Sequence, residues 1–529
     1  MSTPVAATPA TSTRPSLFRD IGHYLSGRVV LVLLGFATFP LMTRMLSVSQ
    51  YGVVSLALRI ILLLTVLAKC GLQYSAARFY EHAKAEGSLE QQRRFYSTLV
   101  IGPVLMAVAV VVIYLPLLFF LRSRIADPIL YRCLLFAPTL VLLRTLQSLL
   151  LSLLRNEGRS KLHSILEVLT KFFTLAAFVA LLFGGFRTAF AILVATAVSE
   201  SLVVLLQIAM LLQRKLVAPQ AMDWHLIRIS LSFGMPLIAY ELSSIVLDSG
   251  DRLLVRHYLG DIALGYYSAA YNISGYLQDT VMTPLNLAIV PIYMRLWNEE
   301  GREATQSFLS TALSWFSVAA IAVTALSILC SRDAIILLAS ARFEEAHRLL
   351  PILIPSLMLY AAHIFLNVGL ILQKRTPLMA TLVAVSAAIN LALNVVLIPR
   401  IGLTGAAWAT LLSYLLLVVC LSIINQRILP LHPDFALMAR SFAAAAVAFV
   451  FAGFVRTPFP ALTLALRVPL DLLLFAIVLL LLSSDLRRTA VSVLAPMLLR
   501  LRSGLSSSEG QSASCDARVP VEATERGRP

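Results

Sequence analysis

Glu241, Asp248, Asp251, Arg252 and Asp279 interrupt two stretches, between Ile227 and Trp297, that otherwise read as membrane-spanning helices. A charge at the centre of a bilayer costs at least about 2.5–3.5 kcal/mol, so such residues face a protein interior or a water-filled cavity and mark ion or substrate paths. At about 100° per residue, Glu241, Asp248 and Arg252 fall within roughly 40° of one another, a stripe about 16 Å long. In the next helix Ser268, Asn272, Gly275, Asp279 and Asn286 also share one face. Two polar faces on adjacent apolar helices predict a wet central cavity. Its candidate lining or coupling groups are Glu241, Asp248, Arg252, Asn272 and Asp279, with Tyr271 and Tyr276 as the deeper tyrosines.

The leading half of the chain carries the opposite sign. Arg28, Arg59, Lys69, Arg144 and Lys171 lie inside apolar runs, together with Glu167 and Glu200. A guanidinium stays charged in a low-dielectric site and offers paired donors to a phosphate. Arg28, Arg59, Lys69 and Arg144 are therefore candidate binders of an anionic, membrane-borne substrate. Other arrangements stay open: Arg28 and Arg59 could pair with acids such as Glu200, and Lys69 and Arg144 could snorkel to an interface. Glu241, Asp248 and Asp279 could form an ion-pair network with Arg252 and Arg256 or hold a proton or coupling ion. Glu167 precedes Lys171 by one turn, the favourable order, and the two read as a neutralising pair. Asp251 beside Arg252 reads as a helix-terminal pair, and His23 and His363 as core residues.

The elements that must position these groups follow from composition. The 529 residues are 59% hydrophobic and 13% charged, which makes an all-α, polytopic membrane protein. Fourteen stretches between residues 21 and 483 are long enough to span. They group as an amino-terminal lobe over 17–213, a second lobe over 226–425 and a final pair of helices over 435–483. Residues 1–16 and 503–529 read as disordered tails. The net charge of +16 sits on scattered Lys and Arg of short loops, so topology explains it better than nucleic acid does. Those loops place both termini in the cytoplasm. Five cysteines without a Cys-x-x-Cys support neither a disulfide framework nor a zinc site, and no catalytic motif, metal or cofactor is implied. The longest loop, about Ser331–Arg348, is too short to fold as a catalytic domain. Phe343–Leu350 within it reads as an amphipathic helix on the outer surface.

A repeat is visible at an offset of about 213. Leu46–Ala57 lies over Leu259–Ala270, with Gly52 over Gly265, and Gly185 falls near Gly402. Six spans per copy give both copies the same orientation, the geometry of parallel-repeat transporters. The same offset sets Arg28 against Glu241 and Arg59 against Asn272.

With these residues in view, the sequence resembles the polysaccharide transporters, the O-antigen type of lipid-linked oligosaccharide flippase in the multidrug/oligosaccharidyl-lipid/polysaccharide exporter superfamily. The likeness is carried by Leu46–Ala57 with Gly71-Leu72, by Asp251-Arg252 leading into Leu264–Tyr271, by Arg342–Ala346, and by Asn390 through Leu403–Ala409. It implies two six-helix bundles in parallel repeat around a cavity that opens alternately to either side, plus two carboxy-terminal helices that help form a groove for a lipid tail. It also implies a polyprenyl-diphosphate-linked oligosaccharide as substrate, moved to the periplasmic leaflet of a bacterial inner membrane for surface polysaccharide synthesis. Glycosyltransferases and a polymerase are the expected partners, with proton or sodium coupling through Glu241 or Asp248. A cation-coupled multidrug-type antiporter is the alternative. A glycan polymerase or ligase would need a large outer loop.

Overall fold

The computed structural model describes residues 14–85, 88–125, 127–484 and 486–488. The tails expected over 1–16 and 503–529 fall outside these residues, apart from Arg14–Ser16 at the start of the first helix. All regular structure among the described residues is helical. The helices are α1 Arg14–Met45, α2 Val48–Lys69, α3 Leu72–Ala85, α4 Leu89–Phe120, α5 Pro128–Asn156, α6 Ser160–Phe183, α7 Ala189–Gln213, α8 Trp224–Ser249, α9 Asp251–Glu299 and α10 Arg302–Ala339. They continue as α11 Leu350–Ala361, the short α12 His363–Leu366 and α13 Val368–Leu372, then α14 Thr376–Ile401, α15 Leu403–Ile428, α16 Phe435–Gly453 and α17 Pro460–Leu482. Ser47, Asp127, Asp223 and Asp434 cap helix starts by accepting backbone N–H groups that no helical carbonyl can reach.

By length and composition twelve helices can cross a membrane, thirteen if the bent segment 224–299 counts as one, so the expected fourteen is not reached on those criteria. That segment is itself folded back. Tyr271 donates to Asp248 at 2.8 Å, and in a straight helix these residues would lie roughly 34 Å apart. Tyr267 likewise donates to Asp251. Both contacts are centred on Gly260, whose φ of +83° is non-helical and open to glycine. The chain therefore reverses there into two antiparallel arms.

Helices α1–α7 pack among themselves, as do α8–α15, while α16 and α17 lie against α10. The two bundles meet along α2 and α9. A Cβ on Gly52 would come within 2.7 Å of the Asp261 carbonyl oxygen, and one on Gly265 within 2.1 Å of the Val48 carbonyl oxygen. At the offset of 213 these two contacts are images of each other. A residue that touches its own counterpart lies on a two-fold axis, as in an isologous interface.

Two expectations are corrected here. Helix α10 runs on to Ala339, so the long outer loop shrinks to a 3-10 turn over Ala341–Leu349. That turn does not rest its apolar face on the membrane. Phe343, Ala346 and Leu349 are buried, and the Phe343 ring meets Tyr51 at 5.5 Å and Tyr266 at 6.4 Å.

Candidate functional site

Helix α2 carries the interface charges. Its end is fixed by Cys70 in the left-handed region and by Gly71, at φ +70°, whose backbone lies against Gly234 of α8. This close approach, with Ser75 donating to the Ser230 carbonyl at 2.9 Å, closes the bundles on the face where α1 begins. On the opposite face Arg44 donates to the Leu337 carbonyl at 3.0 Å and Arg342 to the Arg44 carbonyl at 2.5 Å. Arg59 is midway along α2, between the two closures.

There Arg59 donates to Asp248 Oδ2 at 2.7 Å, across the bundle interface. Asp248 also accepts from Tyr271 and Ser249, each at 2.8 Å. Ten residues along α2, Lys69 donates to Glu241 Oε1 at 3.1 Å, and Glu241 Oε2 accepts from Gln73 at 3.1 Å and Tyr74 at 3.2 Å. Asn272 donates to the Tyr51 hydroxyl at 2.6 Å, and Tyr276 packs on Phe36, Phe39 and Gly35 of α1. Arg28 and Asp279 are exposed, with Asp279 in the electrostatic reach of both Arg28 and Arg59. Among the described residues Arg28 has no hydrogen bond or ion pair.

Of the four basic residues expected to bind an anion, Arg28 is therefore open and Arg59 and Lys69 are engaged by acids of the second bundle. Arg144 stays within the first bundle, donating to Glu200 at 2.9 Å. Arg252 departs from the expected accessible stripe: it is 1% exposed, because the returning arm of α9 folds over it. Its guanidinium lies 4.3 Å from the Tyr271 ring centre, donates to the Asp248 carbonyl at 2.8 Å and stands 3.7 Å from Asp251. Asp251 is likewise a core residue rather than a helix-terminal one, held by Tyr267 and by Thr410 at 3.4 Å. Arg256 pairs with Asp261 at 2.6 Å instead of joining Asp248. The expected pair of Glu167 with Lys171 does not form, since Glu167 faces His163 at 3.6 Å. The Lys171 side chain is left accessible, in the fields of Arg144, Glu200 and Glu167. A lysine in mid-span was the signal for it, masked by the acid one turn earlier. His363 is half-buried, hydrogen-bonded to the Tyr360 carbonyl and stacked on the Tyr360 ring.

Of the charges inside apolar runs of the first bundle, Arg28, Arg59, Lys69, Arg144 and Lys171 outnumber Glu167 and Glu200 by three. Between Glu241 on α8 and Asp279 on α9, Glu241, Asp248, Asp251, Asp261 and Asp279 outnumber Arg252 and Arg256 by the same three. Across the closed interface Arg59 is matched by Asp248 and Lys69 by Glu241, so separating the bundles leaves cations on one wall opposite carboxylates on the other. Such an arrangement can receive an anion on one wall and protons or cations on the other.

The model of the family described as polysaccharide biosynthesis protein matches residues 17–297, and that of the MatE family matches 236–396. Among solved structures, the lipid II flippase MurJ in an inward-closed conformation superposes with a TM-score of 0.69 at 12% identity, over 89% of this chain and 99% of that one. A multidrug resistance MATE family transporter of the MOP superfamily superposes in its inward-facing conformation with a TM-score of 0.62 at 14% identity, over 77% of this chain and 97% of its own. The outward-facing conformation of such a transporter gives 0.56 at 14% identity, over 80% and 98%. At these identities the likeness is one of fold. No curated protein sequence matches the chain.

Proposed function

Because the chain belongs to the polysaccharide biosynthesis protein family, whose model spans just over half of it, we propose that it is a flippase for a polyprenyl-diphosphate-linked oligosaccharide, working by alternating access and catalysing no covalent step. In this reading the diphosphate docks on Arg28 and Arg59, the glycan occupies the polar space between the bundles, and the lipid tail stays in the bilayer. Lys69 and Arg144 act as further cations of the same wall. The observation that carries the reading is the cationic first bundle, with Arg28 open and Arg59 at mid-depth between two repeated halves. An apolar groove of about 560 Å³ between α10, α11 and α16, lined by Phe316, Met358, Phe442 and Phe449, is suited to an acyl or prenyl chain. The excess of Lys and Arg in loops on the side of the termini supports a cytoplasmic placement for them in a bacterial inner membrane.

The test is complementation of a strain that lacks its own transporter of this kind. Arg28→Ala and Arg59→Ala should abolish surface polysaccharide while both variants accumulate in the membrane at normal levels. Normal polysaccharide in both would remove the site. The MatE match and the acids Glu241, Asp248 and Asp279 favour a second reading, a cation-coupled multidrug antiporter, which expects drug resistance on expression instead.

A further inference from the structure

The central cation of the first bundle is already occupied by an anion of the chain itself. Carboxylate and phosphate oxygens make the same demand on a guanidinium. Arg59 and Asp248 meet at 2.7 Å with 29% and 38% of their side chains accessible, whereas Lys69 and Glu241 retain 11% and 23%. Glu241 is also held by the neutral donors Gln73 and Tyr74, so Lys69 is not its sole attachment. The Arg59 to Asp248 contact is the more open and the more readily exchanged.

Resting on the flippase reading, we propose that Asp248 holds on Arg59 the place that a phosphate oxygen of the substrate takes, and that the carboxylate displaced by the substrate becomes the proton-binding group of the transport cycle. With Arg59 taken by the substrate, the one cation left in reach of Asp248 among the described residues is Arg252, which Asp251 already shares. Arg252, one turn on, binds the Asp248 carbonyl and stands beside Asp251, and its guanidinium is fully buried. Tyr271 and Ser249 donate neutral hydroxyls to the carboxylate, and Tyr414 reaches only the Tyr271 hydroxyl, at 3.0 Å. Tyr360 of α11 is a further neutral phenol, and Asp279 of α9 adds a like charge. On α14, which packs along α8, the buried polar residues are the neutral Ser386, Asn390 and Asn394. A carboxylate stripped of its cation, with the like charges of Asp251 and Asp279 in its field, takes up a proton. Arg28, open and in the same field, supplies the second cation for the incoming anion.

The consequence is that anion binding and proton uptake are one event, so affinity rises as pH falls. The experiment is calorimetry on the full chain in lipid nanodiscs with UDP-glucose, a soluble diphosphate diester whose own charge does not change near neutral pH, in two buffers of different ionisation enthalpy. The unaltered chain should take up roughly one proton per ligand bound, the vacated carboxylate. Asp248→Asn should bind about tenfold more tightly, the equivalent of one charge-assisted hydrogen bond, with no proton uptake and no pH dependence. Binding by the unaltered chain without proton uptake overturns the proposal, whether or not the variant folds. So does Asp248→Asn that binds no more tightly. If the unaltered chain fails to bind the diester, or if Arg28→Ala and Arg59→Ala bind it unchanged, the diphosphate site itself falls and the proposal with it.

Discussion

Adding one methyl group at Gly265 is the sharpest probe of how the two bundles meet. Its Cβ would lie 2.1 Å from the Val48 carbonyl oxygen and 2.6 Å from the Val48 side chain. Ordinary contact begins near 3.4 Å, so α2 and α9 would have to part by about 1.3 Å. Backbone atoms cannot rotate away as a side-chain tip can. Overpacking of this kind costs about 1–3 kcal/mol. Charged against the closed conformation, that is a shift of about 5- to 150-fold in its population. The assay is disulfide trapping between cysteines placed at Thr43 and Leu338, where the short Thr43 side chain comes 3.5 Å from the Leu338 carbonyl on the face opposite the start of α1, in a chain whose own cysteines are replaced by serine. Gly265→Ala should lower the yield several-fold relative to the parent. Gly52→Ala should do the same, since its contact with Asp261 is the symmetry image. Unchanged trapping in both would refute a backbone-tight interface on a two-fold axis.

Two further outcomes concern stability. Asp251→Asn leaves the Arg252 guanidinium, 1% exposed, without its neighbouring carboxylate; breaking a buried pair from one side costs about 3–5 kcal/mol, so the detergent-solubilised variant should melt well below the parent in a fluorescence thermal shift. In the appended helices, Arg467 of α17 donates to Asp333 at 3.0 Å and to the Leu329 and Val455 carbonyls. Arg467→Met should loosen α17 from α10 at a cost of about 3 kcal/mol or more, read as new protease cleavage after Arg456, and resistance equal to the parent would count against that anchor.

The architecture was legible because its signals are local or periodic. Apolar runs mark the spans, and the copy of Leu46–Ala57 at Leu259–Ala270 sets Gly52 over Gly265, the two glycines at which the bundles cross. Helical periodicity also put Glu241 and Asp248 on one face of α8, where each meets a cation of α2. Which charges would meet was not legible. Arg59 and Asp248 are 189 residues apart, and Lys69 and Glu241 are 172 apart, so only the docking of α2 on α8 decides those pairs. The same limit misplaced Arg252. A face calculation on α8 cannot show that the chain turns at Gly260 and lays Tyr267 and Tyr271 over that guanidinium. For Phe343, an apolar stripe carries no label saying whether membrane or protein will cover it.

The crossing of α2 and α9 at Gly52 and Gly265 also sets the mechanics of opening. It lies near one end of α2, and the Gly71 contact is nineteen residues further along, about 28 Å at 1.5 Å per residue. With its fulcrum so far off-centre, the assembly works as an unequal lever. A tilt of about 10° barely disturbs the tight end, yet it swings the far end by about 5 Å over that arm, room enough for a sugar ring to pass.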